Sequence, residues 1–200
     1  VLMANPVADN RKPGTVGLPL PGTECRVVDP DEPTKDVPAG ERGELVVRGP
    51  QVFQGYYGKP EETEAVFVDG WFRTGDIVQI DEAGFVRIVD RIKELVITGG
   101  FNVSPTEVEN ALRRHPDVAD VAVVGLPSGH SGEEVVAAIV AEPGRGDLDL
   151  ESVRAFARDE LAAYKVPRRL FVVDELPKSL IGKVLRRRVR DQLLERTSGD

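Results

Sequence analysis

Residues 71–109 constrain the fold more than any other stretch of this 200-residue chain. Apolar residues alternate on both sides of Asp81-Glu82-Ala83-Gly84, the pattern of two strands joined by a hairpin turn. Phe85, Ile88 and Val89 lead into a dense charged break, Asp90-Arg91-Ile92-Lys93-Glu94. Apolar character returns at Leu95-Val96-Ile97 and stops at Gly99-Gly100. Ser104-Pro105-Thr106-Glu107 then has the form of a helix start, with Ser at the N-cap, Pro at the first helical position and Glu three residues after the cap. Two structured units therefore meet at a short charged connection, with Thr74-Gly75-Asp76 on one side and Gly99-Gly100 on the other.

Composition bounds what these units do. At roughly 150 residues per domain the length predicts one or two domains. A hydrophobic content of 40% is enough to bury a core. The net charge of -8 argues against a general nucleic-acid binder, whose domain is usually basic. A single cysteine, Cys25, allows no internal disulfide and fits a reducing cytosol. No apolar run approaches the roughly 18 residues of a spanning helix, and the start carries no signal-peptide pattern. The expectation is a cytoplasmic protein, with peripheral contact at a membrane surface left open.

Residues 1–14 show neither a helical nor a strand period. Residues 16–49 read as short strands, one at Cys25-Arg26-Val27-Val28 and one at Glu44-Leu45-Val46-Val47-Arg48 between Gly43 and Gly49. Arg42-Gly43-Glu44-Leu45 reads as a structural strand motif. Gly55-Tyr56-Tyr57-Gly58 predicts a turn with exposed aromatics, and residues 60–66 one short helix. A small antiparallel β subdomain up to about Ile92 follows from these. Beyond Glu94 strands and helices alternate. The helix opened by Ser104 carries Val108, Ala111 and Leu112 on one face and ends at His115-Pro116. Residues 121–124 and 135–141 read as buried strands with a loop over 127–134 between them. A helix is expected near 150–163, a strand at 171–173, and a last helix over 184–194 with Leu185, Val189 and Leu193 at i, i+4, i+8. The fold class is α+β: a small antiparallel β subdomain followed by a compact mixed α/β domain. His115 and His130 lack partners at metal-ligand spacing and read as ordinary residues, so no metal site is expected.

Several motifs in this order resemble one family. Arg73-Thr74-Gly75-Asp76, Asp90-Arg91-x-Lys93, Gly99-Gly100-Phe101-Asn102, Glu107-x-Glu109 and the P-x4-G-K form of residues 177–183 resemble the adenylate-forming superfamily of acyl-CoA synthetases, firefly-luciferase-like enzymes and peptide-synthetase adenylation domains. The likeness runs over about 14–193, and Gly-Gly-Phe-Asn-Val-Ser-Pro looks most like the fatty acyl-CoA ligases. It implies that residues 1–92 are the C-terminal β subdomain of a large AMP-binding domain, and that 93–200 are a mobile C-terminal lid domain. The family's phosphate-binding loop and aromatic-Gly-x-Thr-Glu motif precede this region and are not in the chain. The expectation is therefore a piece of a longer enzyme whose upstream AMP-binding domain and acyl pocket are missing.

The resemblance gives each candidate residue a role, beside which a plainer one stands. Asp76 would hold the ribose of ATP and of the acyl-adenylate, because a carboxylate accepts from both hydroxyls and Gly75 lets the backbone approach; the plainer reading is an Asp opening a strand after a turn. Arg91 would add a charge-assisted bond to ribose or phosphate, or else be a solvated Arg at a domain edge. Lys93 would be the hinge about which the lid turns, or a surface lysine. Gly99, Gly100 and Phe101 would line the coenzyme A channel, or form a turn. The loop over 127–133 would also face coenzyme A. Lys183 would meet the charge that builds when a carboxylate attacks the α-phosphate, or be a solvated lysine at a helix start. The run Arg186, Arg187, Arg188 and Arg190 reads as a solvated face, or as a receiver of coenzyme A phosphates or anionic lipid. The implied reaction is ATP-dependent activation of a medium- or long-chain fatty acid to acyl-AMP, with Mg2+ on the phosphates, followed by transfer to coenzyme A. Two alternatives remain: an acyl-AMP ligase that loads a carrier protein, and a module without catalysis when isolated as this chain.

Overall fold

Short apolar runs punctuated by glycine and proline make the first half of the chain almost wholly β. The computed structural model describes residues 1–7, 10–129, 132–144, 148 and 150–197. The chain divides into two units, Val1–Lys93 and Glu94–Asp200. In the first unit β1 (Met3–Ala4) pairs antiparallel with β2 (Leu18–Pro19). A five-stranded antiparallel sheet contains β3 (Glu24–Val28), β4 (Gly43–Arg48), β5 (Phe67–Val68), β6 (Trp71–Ile80) and β7 (Val86–Arg91). Its order is β3-β4-β6-β5, with β7 also on β6. The helix α1 (Pro60–Glu64) precedes β5 and is two residues shorter than the composition suggests. Leu45, Val47, Val78 and Val86 form the buried cluster of this unit.

The hairpin between β6 and β7 forms where expected. Asp81 Oδ1 accepts hydrogen bonds from the Ala83 and Phe85 amides, each at 3.0 Å. A hydrogen bond from Lys12 holds the Asp81 carboxyl below the usual carboxylate range. β1 and β5 escaped the sequence reading because two residues are too few to show alternation.

The second unit contains β8 (Val96–Thr98), β9 (Phe101–Val103), α2 (Pro105–Leu112), β10 (Val118–Ser128), β11 (Gly132–Ala141), α3 (Leu150–Arg158), β12 (Arg169–Val172) and α4 (Arg186–Thr197). β11 is its spine: antiparallel to β10, parallel to β12, and bridged to β8 at Gly132↔Thr98. Successive side chains of a strand face opposite ways, and here both faces are covered. Val121, Val123, Val135, Ala137 and Ile139 join the cluster of α2 and α3, which includes Leu112 and Val153. Ala122, Val124, Leu126, Val136 and Ala138 join the cluster containing Val189 and Leu193 of α4. That is why these strands read as continuous apolar runs rather than alternations. The antiparallel β unit and the mixed unit make the chain α+β.

Several boundaries differ from the sequence reading. The expected loop over 127–134 is largely ladder, with Pro127↔Glu133 and Ser128↔Gly132 in register; β10 ends its sheet, where a proline costs no pairing. His130, together with Ser131, lies outside the described residues. The helix α3 stops at Arg158 rather than near 163, and a 3-10 turn, Ala163–Lys165, follows before Pro167, which disfavours helix at Val166. The last helix starts two residues late, because Val184 is bridged to Lys178 and the Leu185 amide donates to Pro177 O at 2.8 Å. Helix α1 ends early, and the Val66 carbonyl instead accepts from the Arg73 amide.

The start of α2 follows the expected capping. Ser104 Oγ accepts from the Glu107 amide at 3.2 Å, and Pro105 occupies the first turn. His115 is 7% exposed; its Nδ1 accepts from the Asp117 amide, and its ring edge meets Phe156. It is a satisfied core histidine.

Candidate functional site

The β4–β6 ladder is interrupted at Thr74-Gly75-Asp76. Glu44 is in register with Ile77 and Val46 with Arg73, so Leu45 alone faces all three of these residues. The result is a bulge, which re-aims side chains that a regular ladder would fix. Gly75 sits at φ 71°, in the left-handed region that side chains with a Cβ rarely adopt. Polar side chains replace the missing ladder bonds. Thr74 Oγ1 donates to Leu45 O at 2.8 Å and accepts from the Asp76 amide at 3.1 Å. The Gly75 amide donates to Glu44 Oε1 at 3.2 Å, and Arg73 Nε donates to Glu44 Oε2 at 2.9 Å. Glu44 is 1% exposed. The sequence reading took it as an ordinary strand residue; its one signal was an acid inside an apolar strand.

On the other side of β6, Asp76 is in register with Arg91. Arg91 Nε stands 3.0 Å from Asp76 Oδ1 as an ion pair. The approach is off the line of a hydrogen bond, and Asp76 Oδ1 is a buried acceptor that receives none among the described residues. Native proteins rarely leave a buried polar atom without a hydrogen bond, and such an atom calls for an explanation. The Arg91 side chain is largely in solvent, at 64% exposure, while that of Asp76 is at 18%. Lys93 is exposed in the 3-10 turn Ile92–Glu94, at the end of the first unit.

In the second unit the Gly99-Gly100 pair is the loop of the β8–β9 hairpin, closed by Thr98↔Phe101. Both glycines have positive φ, 56° and 81°. A two-residue hairpin loop with both φ positive is the type I′ arrangement, which strongly favours glycine. The turn alone therefore accounts for both residues. A Cβ at either would meet no atom within 4 Å, so the backbone there lies open. Phe101 is 53% exposed and stacks on Tyr164 at 4.4 Å and 21°. No periodicity links two residues so far apart, and Tyr164 was not found from the sequence.

The P-x4-G-K motif folds into a tight hairpin. Lys178 is bridged to Val184, the Gly182 amide donates to Ser179 O at 2.8 Å, and the Lys183 amide donates to Ser179 Oγ at 3.2 Å. Lys178 is tied down by Asp120 at 2.7 Å. Lys183 is exposed, and its ammonium has no ion pair among the described residues. Asp76 and Arg91 are thus brought together in one unit, and Gly99, Gly100 and Phe101 in one turn of the other. Lys183 stands on a separate hairpin.

Behind that hairpin the basic run is not a uniform solvated face. Arg186 turns inward: its Nε donates to Glu109 Oε1 at 2.8 Å, and its Nη2 to Glu109 Oε2 and Thr106 Oγ1, each at 2.7 Å. It also pairs with Glu94. Arg190 pairs with Glu133 at 3.0 Å, and Arg187 and Arg188 are exposed. Glu109 is 4% exposed, so Arg186→Met would leave a buried carboxylate without its main partner. The expected cost is about 3 kcal/mol in urea unfolding of this chain. The exposed control Arg187→Met is expected to stay within about 0.5 kcal/mol of wild type.

Among the described residues no group of three or more His, Cys, Asp or Glu converges to hold a metal ion. These residues therefore form no all-protein cage for the Mg2+ that the resemblance implies, an ion usually held by one or two carboxylates together with substrate phosphates. No helix among the described residues is long and apolar enough to cross a membrane.

The two units fall to two matches of one family. Residues 1–57 match the AMP-binding enzyme family and residues 107–183 match the AMP-binding enzyme C-terminal domain, and the chain belongs to these adenylate-forming enzymes. Asp76, Arg91, Lys93 and the Gly99–Phe101 turn lie between the two matched stretches, and Lys183 is the last residue of the second. The chain is 46% identical over 192 residues to a long-chain-fatty-acid–CoA ligase of Escherichia coli O6:H1, covering 96% of the chain and 34% of that protein. It therefore spans about a third of the length of the curated relatives it matches. Among solved structures it is similar to ATP-bound MatB of Rhodopseudomonas palustris, with a TM-score of 0.85 at 42% identity, over 95% of this chain and 38% of that one. It is also similar to the o-succinylbenzoate CoA synthetase of Bacillus subtilis in complex with its acyl-adenylate, with a TM-score of 0.73 at 33% identity, over 90% and 36%.

Proposed function

We propose that this chain is the C-terminal part of a fatty acyl-CoA ligase, which activates a medium- or long-chain carboxylic acid with ATP and passes the acyl group to coenzyme A. The observation that carries this reading is the buried Asp76 Oδ1, ion-paired with Arg91 but accepting no hydrogen bond among the described residues. An acceptor held ready by a bulge suits a ligand that brings its own hydroxyl donors, and the ribose of a nucleotide brings two. The likeness to a long-chain-fatty-acid–CoA ligase supports the acid and the thiol. In this reading residues 1–92 complete an AMP-binding domain and 93–200 form its lid.

The chemistry then runs in two halves. A carboxylate oxygen attacks the α-phosphorus of ATP and pyrophosphate leaves, giving acyl-AMP. Lys183, an ammonium on an exposed hairpin with no ion pair among the described residues, meets the charge that develops on the phosphoryl oxygens. Asp76 and Arg91 hold the nucleotide through both halves. The chain turns about Lys93, and the open backbone of Gly99 and Gly100, with Phe101, receives the pantetheine arm. The thiolate attacks the acyl carbonyl and AMP leaves.

The complete protein that carries this chain tests the reading. Fatty-acid-dependent exchange of pyrophosphate into ATP, and thioester formation when coenzyme A is added, are the expected results. Exchange without thioester would favour a carrier-protein acceptor. Neither activity with any acid would leave a module without catalysis.

A further inference from the structure

We propose that Glu44 is a positioning residue for Asp76: its buried carboxylate sets the bulge that aims Asp76 at the ribose. The inference rests on the reading of Asp76 as the ribose acceptor. Four facts carry it. Glu44 is 1% exposed, on the strand facing the bulge. One of its oxygens holds the Gly75 amide, directly before Asp76, and the other holds Arg73, directly before Thr74. Arg73 is itself anchored, donating to Pro30 O at 3.0 Å. The Thr74 hydroxyl completes the frame by linking Leu45 O to the Asp76 amide.

The Gly75 and Asp76 amides, which the bulge takes out of register, thus meet side chains fixed from β4 and from within the bulge. Without Glu44 the Gly75 amide loses its acceptor and Arg73 its buried counter-charge. The most adaptable path for the backbone is then to close the bulge, which rotates Asp76 away. Glutamine fits the same space but carries a single acceptor oxygen. Whichever way its amide is turned, an NH2 faces either the Gly75 amide or the guanidinium, donor against donor.

The readout is discrimination for ribose hydroxyls, measured in the complete protein as kcat/KM for ATP divided by kcat/KM for 2′-deoxy-ATP and for 3′-deoxy-ATP. Asp76→Ala fixes the full size of the loss. Glu44→Gln is expected to lower the ratio about tenfold, the scale of one charge-assisted hydrogen bond, with KM for the fatty acid unchanged. In an Asp76→Ala background Glu44→Gln is expected to change the ratio no further. Thr74→Val, which removes the second tether and keeps the shape, is expected to lower the ratio in the same direction and decides the matter if Glu44→Gln does not fold. Activity lost equally on ATP and both deoxynucleotides, with the ratio intact, would make Glu44 a stability residue only and overturn the proposal. If Asp76→Ala itself leaves the ratio intact, the ribose reading fails first, and that failure is visible separately from the other.

Discussion

Changing Lys183 to Ala is expected to slow fatty-acid-dependent pyrophosphate release by about 10²- to 10³-fold, the loss typical when one preorganised donor to a developing anion is removed. Transfer of the acyl group from ready-made acyl-adenylate to coenzyme A is expected to continue at close to the wild-type rate. The asymmetry follows from the proposed turn about Lys93, which takes Lys183 out of the site for the second half. The ammonium of Lys183 has no ion pair among the described residues and is exposed at the end of a hairpin braced by the Ser179 turn and the Lys178–Asp120 pair, so its removal is expected to cost little stability. A fall in the first half-reaction cannot then be assigned to unfolding. Equal survival of both half-reactions would return Lys183 to the surface lysines. Equal loss of both would make it a general nucleotide contact rather than a group specific to adenylation. The melting temperature of the variant, expected to match wild type, is the control.

Changing Asp76 to Ala is expected to act on both halves, because the ribose is bound in ATP and in acyl-AMP alike. The expected loss is about 10²-fold in kcat/KM for ATP, from a carboxylate that accepts from two hydroxyls. Stability should barely change: the ion pair it breaks reaches a largely solvated Arg91, and such pairs contribute about 0–1 kcal/mol. Removal even relieves a buried acceptor without a hydrogen bond. A variant that melts as wild type yet loses both half-reactions together would separate the nucleotide contact from the Lys183 effect. An unchanged KM for ATP would remove Asp76 from the site.

Much of this was legible in the residues. The hairpin at Asp81–Gly84 and the capped start of α2 follow from local chemistry, and local chemistry is what a sequence displays most directly. The Gly99-Gly100 pair was legible in a different sense: the residues mark a place needing positive φ, and the type I′ turn supplies that need before any ligand does. The basic run after Lys183 misled, since four arginines on a short helix look alike until one of them turns out to face Glu109. The loop read over 127–134 misled for the converse reason, because Pro127 lies in β10 at the edge of its sheet, where a proline costs no pairing, and Gly132 opens β11.

Sequence by itself determined most of the elements, the order of the motifs and the family, because each of these depends on residues near one another along the chain or on their succession. Only the tertiary structure decided which acid braces which loop. Glu44 and Gly75 are 31 positions apart, and Arg186 and Glu94 are 92 apart. No local pattern encodes such pairs. They exist because buried charges must find partners once strands and helices pack, and which partner is in reach depends on register and bulge, not on spacing along the chain.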